Sequence, residues 1–503
     1  MEEQKKAEKL NLKKVSASGL FFRFMERVLA QLVSTLVSIV LARILMPEEY
    51  GVISLITIFV TICYVFVSDG LSSSLIQKKD SDELDFSTIF WVSLILSLAL
   101  YALLFFTSPL IAAYYDMPIL SPVLRLVALR IPLSAFNSVQ SAYVSKNFLF
   151  KKFFWATLTG TLVSGVVGIV MALQGFGVWA LAAQVLTNPL IDTVFLFCTI
   201  KWRPKMMFSF ARFKSLFSFG WKILVGGLIT KTYEEVRGLI IAKEYSSASL
   251  SYYNKGKQFP GLLGNNISAT ISNVMFPVFS KIQDNREKML YSVRRSMRVG
   301  AYLLSPVLIG FATISETFVH LVLTDKWLPC VPFIYIYCAT FLLKPMKNIS
   351  KNSVKALKRS DIDLAINVAE KVIGVALIVV CVFCFAGNPN GPLYLALSAL
   401  VTYVIATIVN MIANGKLLGY SLIQQLRDTV PYFLLSAISC LPSGIIDYCW
   451  NPGNTLMDIV KLLIQIFAAV GFFFLWSKVF KVKELPYILS VLKDYRKKGT
   501  KTA

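Results

Sequence analysis

Charged side chains recur inside long apolar stretches of this sequence. An ionisable residue at the centre of a bilayer costs roughly 2.5 to 3.5 kcal/mol, so several in one chain require partners or a hydrated cavity. In the first stretch Arg23, Glu26 and Arg27 are three and four residues apart and therefore share one helical face. Basic residues outnumber acidic ones, and arginine and lysine suit phosphate oxygens, which predicts an anionic substrate. The predicted substrate-binding residues are Arg23, Arg27, Lys231, Arg237, Lys344 and Lys347.

A cationic stripe and a proline occur together in the tenth stretch. Lys344, Lys347 and Lys351 recur at steps of three and four residues, with Pro345 among them. Because proline leaves the carbonyl of Phe341 without its helical donor, we expect a kink beside the stripe. A simpler interpretation stays open: long basic side chains extend to the lipid headgroups, and Arg with Glu on one face forms a self-neutralising pair.

Acidic residues inside the stretches are candidates for coupling of transport to H+ or Na+. The predicted coupling residues are Asp69, Glu316 and Glu370. Asp192 and Asp363 are further candidates, each equally consistent with a group at a helix end. No catalytic residue, cofactor or metal site is predicted, because His320 is the only histidine and the eight cysteines are scattered.

The composition indicates that lipid is the main solvent. Of the 503 residues, 56% are hydrophobic and 16% are charged, which is more apolar than a soluble domain requires. The formal net charge of +23 would suggest nucleic acid in a soluble protein, but the basic residues cluster in every second loop. That alternation is typical of the positive-inside rule, so we predict anionic lipid headgroups and no nucleic acid as partners.

About fourteen membrane-spanning helices follow from the hydropathy pattern, which predicts an all-α polytopic membrane protein. The spans lie near 16–42, 51–76, 86–108, 119–144, 153–174, 178–200, 216–242, 253–280, 294–320, 330–355, 362–386, 392–416, 428–448 and 455–478. The loops at 114–118, 175–177, 387–391 and 448–454 contain no Lys or Arg. They should therefore face outward, with both termini in the cytoplasm.

An internal repeat with an offset of about 200 residues predicts two lobes. Leu41-Ala42-Arg43 matches Ile241-Ala242-Lys243, for example. Such matches favour two pseudo-symmetric six-helix lobes plus two C-terminal helices, a usual frame for alternating access. The predicted organisation is a cytoplasmic tail at 1–15, an N-lobe at 16–215, a C-lobe at 216–420, two further helices at 421–478 and a basic cytoplasmic tail at 479–503.

Several motifs carry a resemblance to a known family. The segment 41–51 reads LARILMPEEYG, 68–71 reads SDGL and 175–181 reads GFGVWAL. Further motifs are at 75–80, 86–91, 252–256 and 276–280. Together they resemble polysaccharide flippases of the MATE-like MOP superfamily, of the type that serves O-antigen, exopolysaccharide, colanic acid and teichuronic acid. The resemblance covers most of the first 350 residues, and the remainder agrees in hydropathy only.

The resemblance implies two lobes around a cationic cavity that opens alternately to each side of a bacterial inner membrane. The implied cargo is an undecaprenyl-diphosphate oligosaccharide for surface polysaccharide, and other polysaccharide assembly proteins are implied partners. In related lipid II flippases, arginines on the first helix line the cavity, and Arg23 and Arg27 occupy a comparable place here. Charge reversal of Arg27 and Arg237 is accordingly predicted to stop export while the protein stays in the membrane.

Other functions remain as alternatives. A drug or cation exporter of the same fold should carry acidic lobes, which the cationic excess disfavours, and a lipid II flippase is a closer alternative. A membrane polymerase needs a large external loop, and a glycosyltransferase needs a soluble nucleotide-sugar domain, for which the loops leave no room. The protein is therefore predicted not to be an enzyme, with an accessory scaffold as a further alternative.

Overall fold

The computed structural model describes residues 25–26, 28–68, 70–78, 80–450, 453–487 and 490. Within this part the chain is almost entirely helical and has no β-strand. It forms two compact units, Met1–Ser251 and Tyr252–Ala503. Of the predicted site residues, Arg23, Arg27 and Asp69 lie outside the described residues, as does the tail 1–15.

The first unit is a bundle of helices. Its helices are α1 Val28–Ile44, α2 Pro47–Ser68, α3 Leu71–Gln77, α4 Glu83–Tyr114, α5 Leu120–Val127, α6 Arg130–Lys146, α7 Phe150–Leu173, α8 Val178–Thr199 and α9 Phe210–Glu244. The most extensive contact is between α7 and α8, and α4 packs along α6. Helix α9 packs against α2, α3 and α4.

The second unit begins inside a long helix, α10 Ser247–Lys281. Only the first residues of this helix belong to the first unit. Its other helices are α11 Arg286–Thr313, α12 Ser315–Leu323, a 3₁₀ helix Asp325–Cys330, α13 Val331–Leu342, α14 Lys344–Ala356, α15 Ser360–Phe385, α16 Gly391–Leu418, α17 Leu422–Cys449 and α18 Thr455–Val479. Helix α17 packs between α11 and α18, and α16 contacts α13, α14 and α15.

The predicted polytopic all-α membrane fold is confirmed. Ten helical segments of the described part are long and apolar enough to cross a membrane. The four other predicted spans also coincide with helices: α1 is described from Val28 to Ile44, α5 and α6 are separated at Ala128–Leu129, and α9 and α10 are more polar. Every predicted span therefore has a helical counterpart in the described part of the chain.

The predicted kink at Pro345 is confirmed as a break between two helices. Helix α13 ends at Leu342, and α14 starts at Lys344 with the proline in its first turn. The division into compact units falls after Ser251, because α9 packs on the first unit. The lobe boundary proposed at 215 and 216 concerns the sequence repeat and stays a prediction.

Helix α4 begins at a charged cap that also fixes α9. The Asp82 side chain accepts a hydrogen bond from the Asp85 amide at 3.0 Å, and Asp85 accepts one from the Asp82 amide at 3.2 Å. The hydrogen bond from the Asp85 amide, with the nearby Arg212 guanidinium, lowers the pKa of Asp82. Arg212 in α9 lies 3.3 Å from Asp82 and 3.5 Å from the buried Asp85. This cluster holds the start of α9 against α4.

Glycines allow helix backbones of the first unit to approach each other closely, at the contact of α9 with the start of α3 and at the contact of α2 with α10. A Cβ on Gly70 would lie 2.8 Å from the carbonyl oxygen of Gly220, and one on Gly220 would lie 2.6 Å from that of Gly70. A Cβ on Gly51 of α2 would overlap the backbone of Ser247, the first residue of α10. Small residues at helix contacts are a usual device for close packing within membranes.

Gly51→Ala is expected to lower the stability of the folded protein. Overpacking typically costs 1 to 3 kcal/mol, and here the obstructing atoms are backbone atoms that have no alternative rotamer. The measurement is the melting temperature in detergent, with the yield of monodisperse protein. Gly226→Ala in α9 is the matched control, since nothing lies within 4 Å of its Cβ and alanine favours a helix. Equal melting temperatures for the two variants would contradict the close contact.

Candidate functional site

A stripe of small polar side chains runs along α6. Ser134, Asn137, Ser138, Ser141 and Ser145 recur at steps of three and four residues, which places them on one face of the helix. All five line a cavity of about 370 Å³ inside the first unit. A volume of this size lies at the lower end of the range of small-molecule sites.

The other walls of this cavity, which we call the polar cavity, come from four helices. Polar side chains line it from α2, α3, α7 and α8, namely Tyr64, Ser68, Ser72, Ser73, Thr157, Asn188 and Asp192. Apolar contributions include Ile76, Phe153 and Leu196. The polar cavity therefore offers many hydroxyl and amide groups within a unit made of membrane-spanning helices, which is the pattern expected for a polar group in transit.

Two charged residues line the polar cavity among the residues described. Arg130 is the first residue of α6 and is half-buried, and the described part of the chain contains no carboxylate within ion-pair distance of it. Asp192 in α8 has a buried Oδ1 with no hydrogen-bond partner among the described atoms. A Cβ at Gly160 would overlap that oxygen, so the glycine leaves room for the carboxylate. The arginine suits a phosphate, and the carboxylate with the hydroxyls suits sugar hydroxyl groups.

The predicted cations Lys344 and Lys347 begin a row along α14 in the second unit. Lys347 Nζ lies 2.5 Å from Glu370 Oε1 of α15 and 4.3 Å from the centre of the Tyr403 ring of α16. Both members of this ion pair are largely buried, with side chains 11% and 16% exposed. Lys344 donates a hydrogen bond to Asn265 of α10.

The row continues toward the end of α14 with further partners on α15. Lys351 donates to Asn367 at 2.9 Å and lies 3.7 Å from Asp363. Lys355 lies 3.4 Å from the same carboxylate. The lysines of α14 therefore attach it to the acidic and amide side chains of α15. Glu370, predicted to couple an ion, serves as the partner of Lys347.

The predicted residues of α9 have local partners. Lys231 forms an exposed ion pair with Glu234 at 2.8 Å. Arg237 is only 4% exposed, donates to the Tyr233 hydroxyl at 3.4 Å and lies 5.3 Å from the centre of that ring. These contacts offset part of the free energy that is lost when the charges are removed from water.

Glu316, the remaining predicted coupling residue, lies at a separate cavity of about 710 Å³ in the second unit. Here Asp447 accepts a hydrogen bond from Thr317 at 2.6 Å and pairs with Lys461 at 3.0 Å. His320 lies between Asp325 and Asp458, with Nε2 at 3.6 Å from the second. Two carboxylates of this cavity, Asp447 and Asp458, thus have cationic or hydroxyl neighbours.

The predicted site residues are distributed over both units. Lys231 and Arg237 belong to the first unit, whereas Lys344, Lys347 and Glu370 belong to the second, and the polar cavity is lined by none of these five. The role of the predicted set in binding and coupling stays a prediction. The α6 stripe and Arg130 were not recognised from the sequence, although serines repeating at helical steps in an apolar stretch were a usable signal.

Known proteins resemble this chain over most of its length. Lipopolysaccharide biosynthesis protein WzxC of Escherichia coli (strain K12) is 24% identical over 416 residues, covering 81% of this chain and 82% of that protein. Teichuronic acid biosynthesis protein TuaB of Bacillus subtilis (strain 168) is 23% identical over 387 residues, covering 75% and 77%. The solved structure of the lipid II flippase MurJ in an inward closed conformation superposes with a TM-score of 0.72 at 16% identity, covering 92% of this chain and 98% of MurJ.

The structural likeness confirms the predicted fold class. The sequence matches confirm the family resemblance, since a family described as polysaccharide biosynthesis protein matches residues 40–332, more than half of the chain. The chain belongs to this polysaccharide biosynthesis protein family.

Proposed function

We propose that the protein is a flippase that moves an undecaprenyl-diphosphate-linked oligosaccharide from the cytoplasmic to the outer leaflet. The observation that carries this proposal is the family match over residues 40–332. Its relatives are named for lipopolysaccharide and teichuronic acid biosynthesis, and a solved structure of similar fold is named a lipid II flippase. Such products require a lipid-linked sugar to cross the membrane before it joins the surface polymer.

The chemistry of the polar cavity supports a cargo with both sugar and phosphate groups. Serine and asparagine side chains can donate to and accept from sugar hydroxyls, and Arg130 can donate two parallel hydrogen bonds to a phosphate. A drug exporter for cations would place acidic groups in this position, whereas Asp192 is the one carboxylate of the described lining. The cavity therefore favours an anionic, hydroxyl-rich headgroup.

The setting of this activity is a bacterial inner membrane with both termini in the cytoplasm. Basic segments at 201–214 and 286–298, at the starts of α9 and α11, support that orientation through the positive-inside rule. Coupling to H+ or Na+ is part of the proposal. Among the carboxylates considered, Asp192 is the one that lines the polar cavity, while Glu370 is paired with Lys347.

Deletion of the gene is expected to abolish surface polysaccharide and to accumulate lipid-linked repeat units in the inner leaflet. Mass spectrometry of extracted lipid-linked sugars identifies the cargo, and a membrane-impermeant label reports the leaflet. Re-expression of the full chain should restore both readouts. Accumulation of single repeat units in the outer leaflet would instead indicate a polymerase, and normal surface polysaccharide would contradict the proposed role.

A further inference from the structure

Two adjoining cavities lie in the second unit where α11 and α17 begin and α18 ends. Their volumes are about 540 and 500 Å³. They share Arg298, Lys483 and Glu484 as lining residues, so they form one continuous site, which we call the paired cavity. None of its residues belongs to the polar cavity or to the α14 row.

One carboxylate organises the inner wall of the paired cavity. Asp428, with a side chain only 7% exposed, lies 2.9 Å from Arg294 Nε and 2.5 Å from Arg298 Nη2. It also accepts a hydrogen bond from the Tyr420 hydroxyl at 2.7 Å. Burial, with the hydrogen bond to Asp428, raises the pKa of Tyr420, so the phenol stays a donor. This arrangement fixes two arginines and uses up the acceptor capacity of the carboxylate.

Three further cations line the paired cavity without a carboxylate partner among the described residues: Arg295, Arg427 and Lys483. The Arg295 guanidinium lies 3.6 Å from the centre of the Tyr487 ring and donates to the Tyr291 hydroxyl at 3.1 Å. Aromatic contacts of this kind hold an arginine in place and leave part of its fork available. In total, five cations line the paired cavity against three carboxylates.

The smaller part of the paired cavity, of about 500 Å³, has one apolar wall. Pro431, Leu434, Leu435 and Ile438 of α17 line it below the charged groups. Leu434 and Ile438 are 59% and 44% exposed, so this wall continues onto the outer surface of the helix. A soluble anion would contact the cations alone, whereas a lipid would contact the cations with its headgroup and the apolar wall with its acyl chains.

We infer that the paired cavity binds the phosphodiester headgroup of an anionic phospholipid of the surrounding bilayer, with its acyl chains along α17. Basic pockets between helices at the membrane surface are suited to such headgroups. Arginine forks match the phosphate oxygens, and the excess of cations supplies the complementary charge. This inference requires membrane insertion only and does not depend on the identity of the transported cargo.

The test is titration of the purified full-length chain in detergent with phosphatidylglycerol, monitored by melting temperature. Phosphatidylglycerol should raise the melting temperature in a saturable way, because a ligand that binds the folded state stabilises it. Phosphatidylcholine and inorganic phosphate should have little effect. An equal shift with inorganic phosphate would show a site for a soluble anion and overturn the lipid assignment, as would a shift found only with undecaprenyl phosphate.

A triple variant locates the site. In Arg295→Gln/Arg427→Gln/Lys483→Gln the Asp428 contacts are retained, and three unpaired cations are removed. Each basic residue near an anionic lipid strengthens binding about fivefold, so an affinity loss on the order of 100-fold is expected.

The matched control removes three exposed lysines of the same unit outside the paired cavity: Lys281→Gln/Lys288→Gln/Lys416→Gln. It has the same change in net charge and should keep wild-type affinity for phosphatidylglycerol. Equal losses in both triple variants would reduce the effect to overall charge and overturn the proposed site. Unchanged affinity in the first variant would do the same.

Discussion

Replacing Arg130 with glutamine is expected to slow export about ten- to a hundredfold while the protein reaches the membrane at its normal level. A hydrogen bond to a charged group contributes about 1.5 to 3 kcal/mol, and glutamine removes the charge and the planar fork. Arg130 makes no ion pair in the described part of the chain, so its loss breaks no direct salt bridge. The measurement is the rate of surface polysaccharide formation in a deletion strain that expresses the variant.

Two further variants test whether the effect is specific to the polar cavity and to the guanidinium group. Lys151→Gln removes an exposed cation from the start of α7, outside the polar cavity, and should leave export unchanged. Arg130→Lys keeps the charge without the fork and should give an intermediate rate, because lysine offers a point charge only. Normal export by Arg130→Gln would remove the polar cavity from the transport path.

Glu370→Leu is expected to destabilise the second unit by about 3 to 5 kcal/mol, because it leaves the Lys347 ammonium buried without its partner. The measurement is the melting temperature of the purified protein, together with the fraction that is monodisperse. Asp361→Leu is the matched control in the same helix: its pair with Arg359 has side chains 62% and 49% exposed, and such pairs contribute at most about 1 kcal/mol.

A double variant separates structure from transport at this pair. Lys347→Met/Glu370→Leu replaces both charges with apolar groups and should recover most of the stability, since removing a whole buried pair is often neutral. If this folded variant exports normally, Lys347 is a structural residue. If it is folded and inactive, the predicted role of Lys347 in substrate binding is supported. A stable Glu370→Leu protein would contradict the ion pair itself.

The spans could be predicted from the sequence because the hydropathy that places a helix in lipid depends on the residues of that helix alone. The break at Leu343 could also be predicted from the sequence, because a proline such as Pro345 disrupts the helix in which it lies. The partners of the charges could not be predicted, because Lys347 meets Glu370 across two helices whose relative rotation is set by packing. The sequence shows that such charges need partners and does not show which ones.

Arg237 illustrates the same limit. Its position inside a span suggested a substrate-binding cation, and charge reversal seemed a clean test. In the structure it is 4% exposed and bonded to Tyr233, so a carboxylate at this position would be buried as well. Loss of export after that change would therefore not separate binding from folding. Arg130, at the start of α6 and half-buried, is the sharper test.

The contact between Gly70 and Gly220 has a mechanical consequence. Neither residue carries a side chain, so no steric ridge holds α3 and α9 apart at this point, and the ion pairs of Arg212 with Asp82 and Asp85 fix the start of α9 nearby. The two backbones nevertheless limit how near the helices can come, because each glycine already meets the carbonyl of the other. The pair therefore sets the spacing of α3 and α9, and any side chain at either position would push the two helices apart.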